Sequence, residues 1–410
     1  MARSTDPGGA AHRTQTALPD PAQPAGSGPM TQTVQRSART GADPAYIMPP
    51  LQPILMPFIL AFLYAACVAI LARDPLIDWT SVASLKSKGF LCAIALVAPV
   101  MLIGKMSYNR WYGFGESVTD IVRTFFQTRV RPGWGLPFLT PLLTAVLVGT
   151  AYNVFKQRML PSTGYGYDGF LAGIDHSIFG TDPWKLTHAL VPSAEATRLI
   201  DLAYHPFFFP MTMGIAICTF LPLNSRHRLR HTMAFAMLTI VPTSLVAALL
   251  PAVGPCFDLF YHGNQQFVEM TNTLAAQQAT LIAQGHPGLE SLAAQAKLQS
   301  LLGAPSIADG GGIAALPSMH NALSTLFLCF LVGFSRRWLW VALPYAALIL
   351  FGSVHLGWHY AIDGVVGIAL AFLMWRIAGP IADAGLAHYP VRRAIRSGRA
   401  AIGWGAKPSS

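Results

Sequence analysis

The sequence predicts an all-α membrane protein: a polytopic helix bundle of about eight transmembrane helices with an outer helical cap. Of the 410 residues, 53% are hydrophobic and only 11% are charged, whereas soluble domains have about 25% charged residues. Apolar segments of about 17 to 25 residues, which suits a helix that spans a bilayer, also recur along the chain. Because the basic residues act first as topology signals in such a chain, the net charge of +10 does not indicate a nucleic-acid partner.

The predicted membrane helices recur along the chain, and two of their outer connections are long. The helices cover residues 53–72, 89–107, 136–155, 204–223, 232–251, 317–334, 338–356 and 361–379. A tight turn around Gly357 and Trp358 separates the last two. Residues 1–46 are rich in Pro, Ala, Gly, Thr and Ser and lack the apolar core of a secretory signal, so we expect a disordered cytoplasmic tail.

The basic residues predict the orientation of this bundle. With the N-terminus in the cytoplasm, most of the 28 Lys and Arg residues fall in cytoplasmic segments, as the positive-inside rule requires. Under this topology His320, His355 and His359 lie at the outer ends of predicted helices. We therefore expect a multi-pass protein of the cell inner membrane with its site on the periplasmic or lumenal side.

Two of the predicted outer connections are long. Residues 156–203 carry Gly and Pro among aromatic residues, which indicates short helices at the interface rather than a ninth span. Residues 252–316 have helix-forming composition on both sides of a Gly-His-Pro-Gly break at 285–288. This second segment is expected to form either a helical cap over the site or a solvated hairpin.

Ionisable residues at the predicted helix ends mark a candidate site, because such groups are costly in a membrane and usually functional. His355, His359 and Asp363 are spaced i, i+4 and i+8, so they share one face if the stretch is helical. A carboxylate one turn from an imidazole can fix the tautomer and leave the other ring nitrogen free to react. His320 follows Ser318 at a helix start, where free N–H groups can receive an anion. Structural hydrogen bonds are the alternative for each of these side chains.

The motif LPSMH at residues 316–320 and the motif HYAID at residues 359–363 resemble the second and third motifs, PSxH and HxxxD, of the type 2 phosphatidic acid phosphatase superfamily. Upstream stretches resemble more specifically its inositolphosphotransferase branch, which includes inositol phosphorylceramide synthases. Those stretches are IDHSIFGTDPW at 174–184, DLAYH at 201–205 and LPAVGPC at 250–256. The resemblance covers about residues 150–375.

The resemblance implies an integral membrane phosphatase or phosphotransferase that acts on lipid phosphate esters through a phosphohistidine. His359 would attack phosphorus, Asp363 would fix its tautomer, and His320 would protonate the leaving group and then activate the acceptor. Ser318 and nearby backbone amides are candidate phosphate donors, and His355 is a candidate lining residue. The acceptor would be water or the hydroxyl of a lipid or alcohol, with transfer of a phosphoinositol-type headgroup favoured by the branch. No metal ion or other cofactor is implied.

The sequence departs from the family at the groups that bind phosphate. The common first motif, KxxxxxxRP, is not found before the site, and Ser353 stands where the third motif has an arginine. Lys156, at the outer end of the third predicted helix, and Arg158 are the nearest outward-facing cations and the candidate replacements. Contact with lipid headgroups is their alternative interpretation.

The chain then divides into a cytoplasmic tail (1–46), two N-terminal helices with a basic loop (47–134), a catalytic membrane domain (135–380) and a basic tail (381–410). A simple phosphatidate or polyprenyl phosphate phosphatase is an open alternative. A proton-coupled transporter or a haem protein ligated by two histidines is another. A proton relay would need protonatable groups that continue toward the cytoplasmic side, and none is expected within the later helices.

Overall fold

A computed structural model of the chain describes residues 51–387 apart from six short stretches. Those stretches are residues 74–76, 112, 114–116, 128–134, 305–306 and 309. The tail predicted at residues 1–46 and the greater part of the tail predicted at 381–410 lie outside the described residues.

The described residues form helices and connecting turns, with no β-strand among them. Numbered along the chain, the α-helices are α1 (Leu51–Ala72), α2 (Trp79–Trp111), α3 (Val118–Gln127), α4 (Gly135–Val154), α5 (Asp168–Phe179), α6 (Pro183–Leu190), α7 (Ala194–Tyr204), α8 (Phe208–Phe220), α9 (Arg226–Leu238), α10 (Leu245–Leu249), α11 (Pro255–His262), α12 (Val268–Ala283), α13 (Glu290–Ser300), α14 (Met319–Phe334), α15 (Leu339–His355) and α16 (Ala361–Gly385).

Within the described part of the chain, seven helical segments are long and apolar enough to cross a membrane. They are Leu51–Ala72, Trp79–Trp111, Gly135–Thr163, Ala194–Phe220, Arg226–Leu249, Arg336–His355 and Ala361–Gly385. The apolar helix α14 is shorter, since its 16 residues extend about 24 Å at 1.5 Å per residue. The predicted all-α polytopic bundle is confirmed, with α14 as its short member.

The largest apolar core lies where α4, α8, α9, α14 and α16 meet. Ile215, Phe235, Leu326 and Phe330 are at most 2% exposed in this core. Such burial excludes lipid and water from the centre of the bundle. It also fixes the helix ends that carry the polar residues described below.

The turn between α15 and α16 corrects one expectation from the sequence. Helix α15 ends at His355, and Gly357 has a φ of +74°, a left-handed conformation that suits glycine. Helix α16 then begins at Ala361. His355 and His359 therefore belong to different elements, and the shared helical face expected from their spacing does not form.

Both long connections contain helices. The first carries α5, α6 and α7, which are short as predicted. The second carries α11, α12 and α13, and the chain breaks between the last two at Gly285, where φ is +77°. Helix α13 is tied to the turn beside His359, because Gln295 Nε2 donates to the Leu356 carbonyl at 3.0 Å. This segment is a helical cap and not a solvated hairpin.

The opposite end of the bundle is held by a buried cation. Arg228, 1% exposed, donates to the carbonyls of Thr219 at 2.8 Å and Phe138 at 2.8 Å, so one guanidinium links α9 to the end of α8 and the start of α4. His231 is 2% exposed and packs against Phe330 at 4.3 Å between ring centroids. This buried histidine of α9 contradicts the expectation that the later helices hold no protonatable group apart from the outer cluster.

Candidate active site

The candidate site is built where the starts of α14 and α16 meet. The Ser318 N–H donates to the Asp363 carbonyl at 3.1 Å, which joins the two helices by their backbones. A Cβ on Gly367 would lie 2.5 Å from the Ser318 carbonyl oxygen. Only glycine therefore permits this close approach. The His359 N–H donates to the Ser353 carbonyl at 3.0 Å and fixes the turn that carries the imidazole.

His320 and His359 meet across this junction. Nδ1 of His320 lies 3.0 Å from Nε2 of His359, and the two ring centroids are 5.1 Å apart with the rings inclined at 65°. The other face of His320 stacks on Tyr204, at 5.1 Å between centroids. The two imidazoles that the motifs single out, 39 residues apart in sequence, are thus brought into direct contact.

Asp363 lies behind His359. Its Oδ2 is 3.6 Å from Nδ1 of His359 and accepts a hydrogen bond from the Tyr360 N–H at 3.0 Å. The carboxylate is fully buried. A separation of 3.6 Å is longer than a hydrogen bond, as is common for catalytic pairs before a ligand binds. The carboxylate can orient His359 and leave Nε2 facing His320.

The two histidines line a cavity of about 440 Å³. One part of its wall is polar, with Asn153, Lys156 and His205. Another part is apolar and lies deeper between the helices, with Phe90 of α2, Ala145 of α4, Phe235 of α9 and Leu323 of α14. A cavity with cationic and apolar walls suits a ligand that has both a polar head and a hydrocarbon tail.

Lys156 and Arg158 lie in a π-helical turn, Phe155–Met159, that follows α4. Lys156 lines the cavity, and its Nζ donates to the Gly312 carbonyl at 3.3 Å. Arg158 does not line the cavity; its Nη1 donates to the Ala304 carbonyl at 3.1 Å. Of the two candidate phosphate-binding cations, only Lys156 is brought to the histidines.

Ser318 and His355 also lie outside the cavity wall. Ser318 Oγ accepts the Asn321 N–H and serves as the N-cap of α14. His355 is fully buried, with its Nε2 at 3.0 Å from Thr197 Oγ1 and its ring 4.4 Å from that of His188. The geometry gives both residues structural contacts and does not support the substrate-binding roles expected from the sequence.

Three buried carboxylates of the first outer connection hold the site and were not assigned a role from the sequence. Asp175 of α5 accepts hydrogen bonds from the N–H groups of Ala361 at 2.6 Å and Ile362 at 2.9 Å, the first two of α16. Desolvation raises the pKa of Asp175 to about 6, because burial disfavours its charged form. This carboxylate fixes the helix start two residues after His359.

The other two carboxylates hold neighbouring backbone. Asp168 accepts from the Gly254 N–H at 2.8 Å and the Tyr360 hydroxyl at 3.0 Å. Asp201 of α7 accepts from the Glu290 N–H at 2.6 Å, at the start of the cap helix α13. Asp175 and Asp201 lie in two of the stretches that resemble the inositolphosphotransferase branch, IDHSIFGTDPW and DLAYH. No local pattern could have found the three acids, because their backbone N–H partners are distant in sequence.

The fold and the site define a helical membrane protein with paired histidines backed by a carboxylate. A family model of the PAP2 superfamily matches residues 170–377, a range that contains both histidine motifs, and the chain belongs to that superfamily. No curated protein and no solved structure matches the chain. Membership indicates phosphatase-type activity on lipid phosphates and favours an enzyme over the transporter and haem alternatives.

Proposed function

We propose that the protein is a membrane phosphotransferase that takes a phosphoryl or phosphoinositol-type group from a lipid phosphate ester through a phosphohistidine on His359. The observation that carries the proposal is the 3.0 Å contact between His320 Nδ1 and His359 Nε2, with Asp363 behind Nδ1 of His359. In this arrangement Nδ1 of His359 faces the carboxylate, Nε2 of His359 is the nucleophile, and Nδ1 of His320 is the proton donor.

In the first step the phosphate of the substrate displaces the direct contact between His320 Nδ1 and His359 Nε2, and the two rings separate to hold it between their nitrogens. Asp363 keeps the proton of His359 on Nδ1, so the lone pair of Nε2 attacks phosphorus. The P–N bond forms as the P–O bond to the lipid breaks. His320, in its imidazolium form beside the anionic phosphate, gives its Nδ1 proton to the leaving oxygen and becomes neutral.

In the second step the acceptor hydroxyl enters from the place that the leaving group has vacated. Neutral His320 takes the acceptor proton on Nδ1, the acceptor oxygen attacks phosphorus, and the P–N bond breaks. His359 is then restored with its lone pair on Nε2. Lys156, which lines the same cavity, supplies positive charge to the phosphate oxygens in both steps.

The identity of the acceptor decides whether the enzyme is a transferase or a phosphatase. The cap helix α13 contributes Ala294 and Leu298 to the wall of the cavity, and a covered intermediate is protected from water. Together with the resemblance of the upstream landmarks to the inositolphosphotransferase branch, this cover supports transfer to a lipid or alcohol hydroxyl. Hydrolysis of a simple lipid phosphate uses the same intermediate and is the alternative outcome.

We propose the outer, periplasmic or lumenal, side of the inner membrane for the reaction, within a catalytic membrane domain of residues 135–380. The distribution of Lys and Arg along the chain supports this orientation. Cysteines introduced at Gln265, an exposed residue in the loop after α11, and at Ser335, in a chain without its five native cysteines, should react with an impermeant thiol reagent from opposite sides of the membrane. Labelling of both from the same side would refute the topology.

The intermediate can be trapped directly. Purified protein in micelles is incubated with ³²P-labelled lipid phosphates, with and without an inositol headgroup, and quenched in base. We expect protein-bound label that is stable in base and labile in acid, absent from the His359→Ala variant and retained by His176→Ala, a control at an exposed histidine of α5. Label that persists in His359→Ala would overturn the mechanism.

The same lipid panel distinguishes the two acceptors. With a lipid alcohol present, a transferase yields a new phosphodiester, whereas a phosphatase yields inorganic phosphate or a free headgroup phosphate at the same rate with or without the alcohol. The activity should also survive EDTA, because the nucleophile in this scheme is an imidazole. A strict requirement for a divalent metal ion would contradict it.

A further inference from the structure

The cavity at the histidines contains more positive charge than one phosphate needs. Three lysines line it, Lys86 of α2, Lys156 of the π-helical turn and Lys297 of α13, and no Asp or Glu is among the described residues that line it. These lysines come from three separate elements. Like charges around one partly enclosed cavity repel one another more strongly than they do in water, so the arrangement favours a ligand that brings several negative charges.

Lys86 reaches the cavity from a helix outside the family match. A Cβ on Gly149 would lie 3.8 Å from Cδ of Lys86, so the aliphatic stem of the lysine runs along the small surface that Gly149 leaves on α4. Lys88, two residues further along α2, is exposed and does not line the cavity. Of these two lysines of α2, only Lys86 faces the cavity.

Lys297 reaches the cavity from the cap. It lies with Ala294, Leu298 and Leu301 on the cavity-lining side of α13, at the i, i+3, i+4 and i+7 spacing of one helix face. The helix is held in position because the Trp358 indole N–H donates to Ser291 Oγ at 3.0 Å. Lys297, although exposed to solvent, thus contributes to the cavity wall from a fixed element.

We infer that Lys86 and Lys297 form a second anion-binding subsite in this cavity, for a phosphate-class group carried by the ligand in addition to the phosphate that is transferred. This inference rests on the proposed function, which assigns the first phosphate to His320, His359 and Lys156. The substrate class is then a lipid whose head, alone or with its acceptor, brings at least two anionic groups.

The test compares two ligands that differ by one anionic group and that the enzyme cannot cleave. Methylenediphosphonate and methylphosphonate are titrated calorimetrically into the full chain in detergent micelles, at fixed ionic strength. The variants are Lys86→Gln and Lys297→Gln. Lys88→Gln on the same helix and Lys185→Gln, an exposed residue of α6, are their matched controls. Thermal unfolding verifies that each variant is folded.

We expect methylenediphosphonate to bind the unaltered chain at least about tenfold more tightly than methylphosphonate, as one extra charge-assisted contact provides. Lys86→Gln and Lys297→Gln should each remove about that factor for the diphosphonate and leave the monophosphonate within about twofold. The controls should change neither. Equal affinity for the two ligands, or equal losses for both in the two variants, would overturn the second subsite.

These outcomes separate the subsite from the proposed function. Binding is measured without turnover, so an inactive preparation does not prevent the comparison. If the phosphohistidine forms but the diphosphonate shows no advantage, the mechanism stands and the second subsite is refuted. If the diphosphonate advantage depends on Lys86 and Lys297 but no phosphohistidine forms with any lipid, the subsite stands and the proposed chemistry is refuted.

Discussion

The helices that carry the histidines and the N-terminal helix α2 contribute to one cavity in different ways. The start of α14, with His320, and the start of α16, which follows the turn with His359, lie within the family match and approach so closely that Gly367 has no room for a Cβ. In the most apolar part of α2 only 17% of the residues are buried, yet this helix supplies Lys86 and Phe90 to the wall. The reacting groups are therefore fixed where two helices pack most closely, whereas a helix with most of its surface outside the protein core supplies residues that can select the ligand.

The largest expected effect is at the carboxylate behind the nucleophile. Asp363→Asn keeps the size of the side chain but can donate to Nδ1 of His359, which would move the imidazole proton to Nε2 and remove the attacking lone pair. We expect kcat to fall by about 10⁴-fold, as for the corresponding change in a catalytic triad. Steady-state release of product from a lipid phosphate measures it.

An exposed acid is the control for this change. Asp120→Asn on α3 alters an exposed carboxyl that accepts a hydrogen bond from the Ser117 hydroxyl at 2.6 Å, far from the histidine motifs in sequence. Its activity should equal that of the unaltered chain. An Asp363→Asn variant that retained more than about a tenth of the activity would show that His359 needs no carboxylate to select its tautomer.

The next effect is at the proton donor. His320→Ala should lower kcat for a lipid with an alkoxide leaving group by about 10² to 10⁴, the usual contribution of general acid catalysis. With p-nitrophenyl phosphate, whose leaving group needs no proton, formation of the phosphohistidine should be reduced much less. Rapid-quench measurement of labelling with both substrates tests this. Equal losses for both would show that His320 does not act as the acid.

A smaller effect is expected at Asp175, which positions the start of α16. Asp175→Asn leaves one acceptor for two N–H groups and removes a negative charge from a helix N-terminus, where such charge is favourable. We expect kcat to fall by about tenfold with little change in KM. A matched change at an exposed acid of the cap, Glu269→Gln, should leave kcat unchanged.

The raised pKa of Asp175 also predicts a pH dependence. Because the pKa of Asp175 is about 6 in the folded protein and 3.8 for an unperturbed Asp side chain, the folded state binds the proton more tightly. Its contribution to the free energy of unfolding therefore falls as pH rises from about 4 to about 6. The charged form needed to hold α16 is lost below pH 6, and kcat should decline there. In Asp175→Asn this part of the decline should be absent; an identical pH profile in both proteins would exclude the positioning role.

The smallest effect is expected in the N-terminal helix pair. Tyr64 of α1 donates its hydroxyl to Ser244 Oγ at 2.7 Å, and Ser244 Oγ in turn donates to the Thr239 carbonyl at 3.1 Å. Tyr64→Phe should reduce the free energy of unfolding by about 1 kcal/mol and leave kcat within about twofold. Thermal unfolding in micelles measures the first, and a large loss of kcat would show that α1 acts on the reacting groups after all.

The sequence predicted the features that follow from long apolar segments and from ionisable residues, which are costly inside a membrane. Long apolar runs predicted the bundle, and a carboxylate at i+4 from His359 inside an apolar segment predicted the pairing of His359 with Asp363. The predicted topology put His320 and His359 at helix ends on the same side of the membrane, so His320 was expected close to His359. A shared face of His355 and His359 required a continuous helix, and the turn predicted around Gly357 and Trp358, where Gly357 is left-handed, excludes it.

The remaining site residues could not be predicted because their partners are distant backbone groups. Asp175 bonds to residues 186 and 187 positions away, and nothing in its own stretch indicates that partner. Lys86 is two residues from Lys88 in the same helix, and their sequence does not reveal which one points to the cavity. Such assignments depend on the packing of separate elements, which local patterns do not encode.

The contact of Trp358 with Ser291 adjoins the nucleophile, since Trp358 is the residue before His359. Any outward swing of α13 would pull on the peptide that holds the attacking ring. The position of the cap helix and the position of the nucleophile are therefore coupled through one indole.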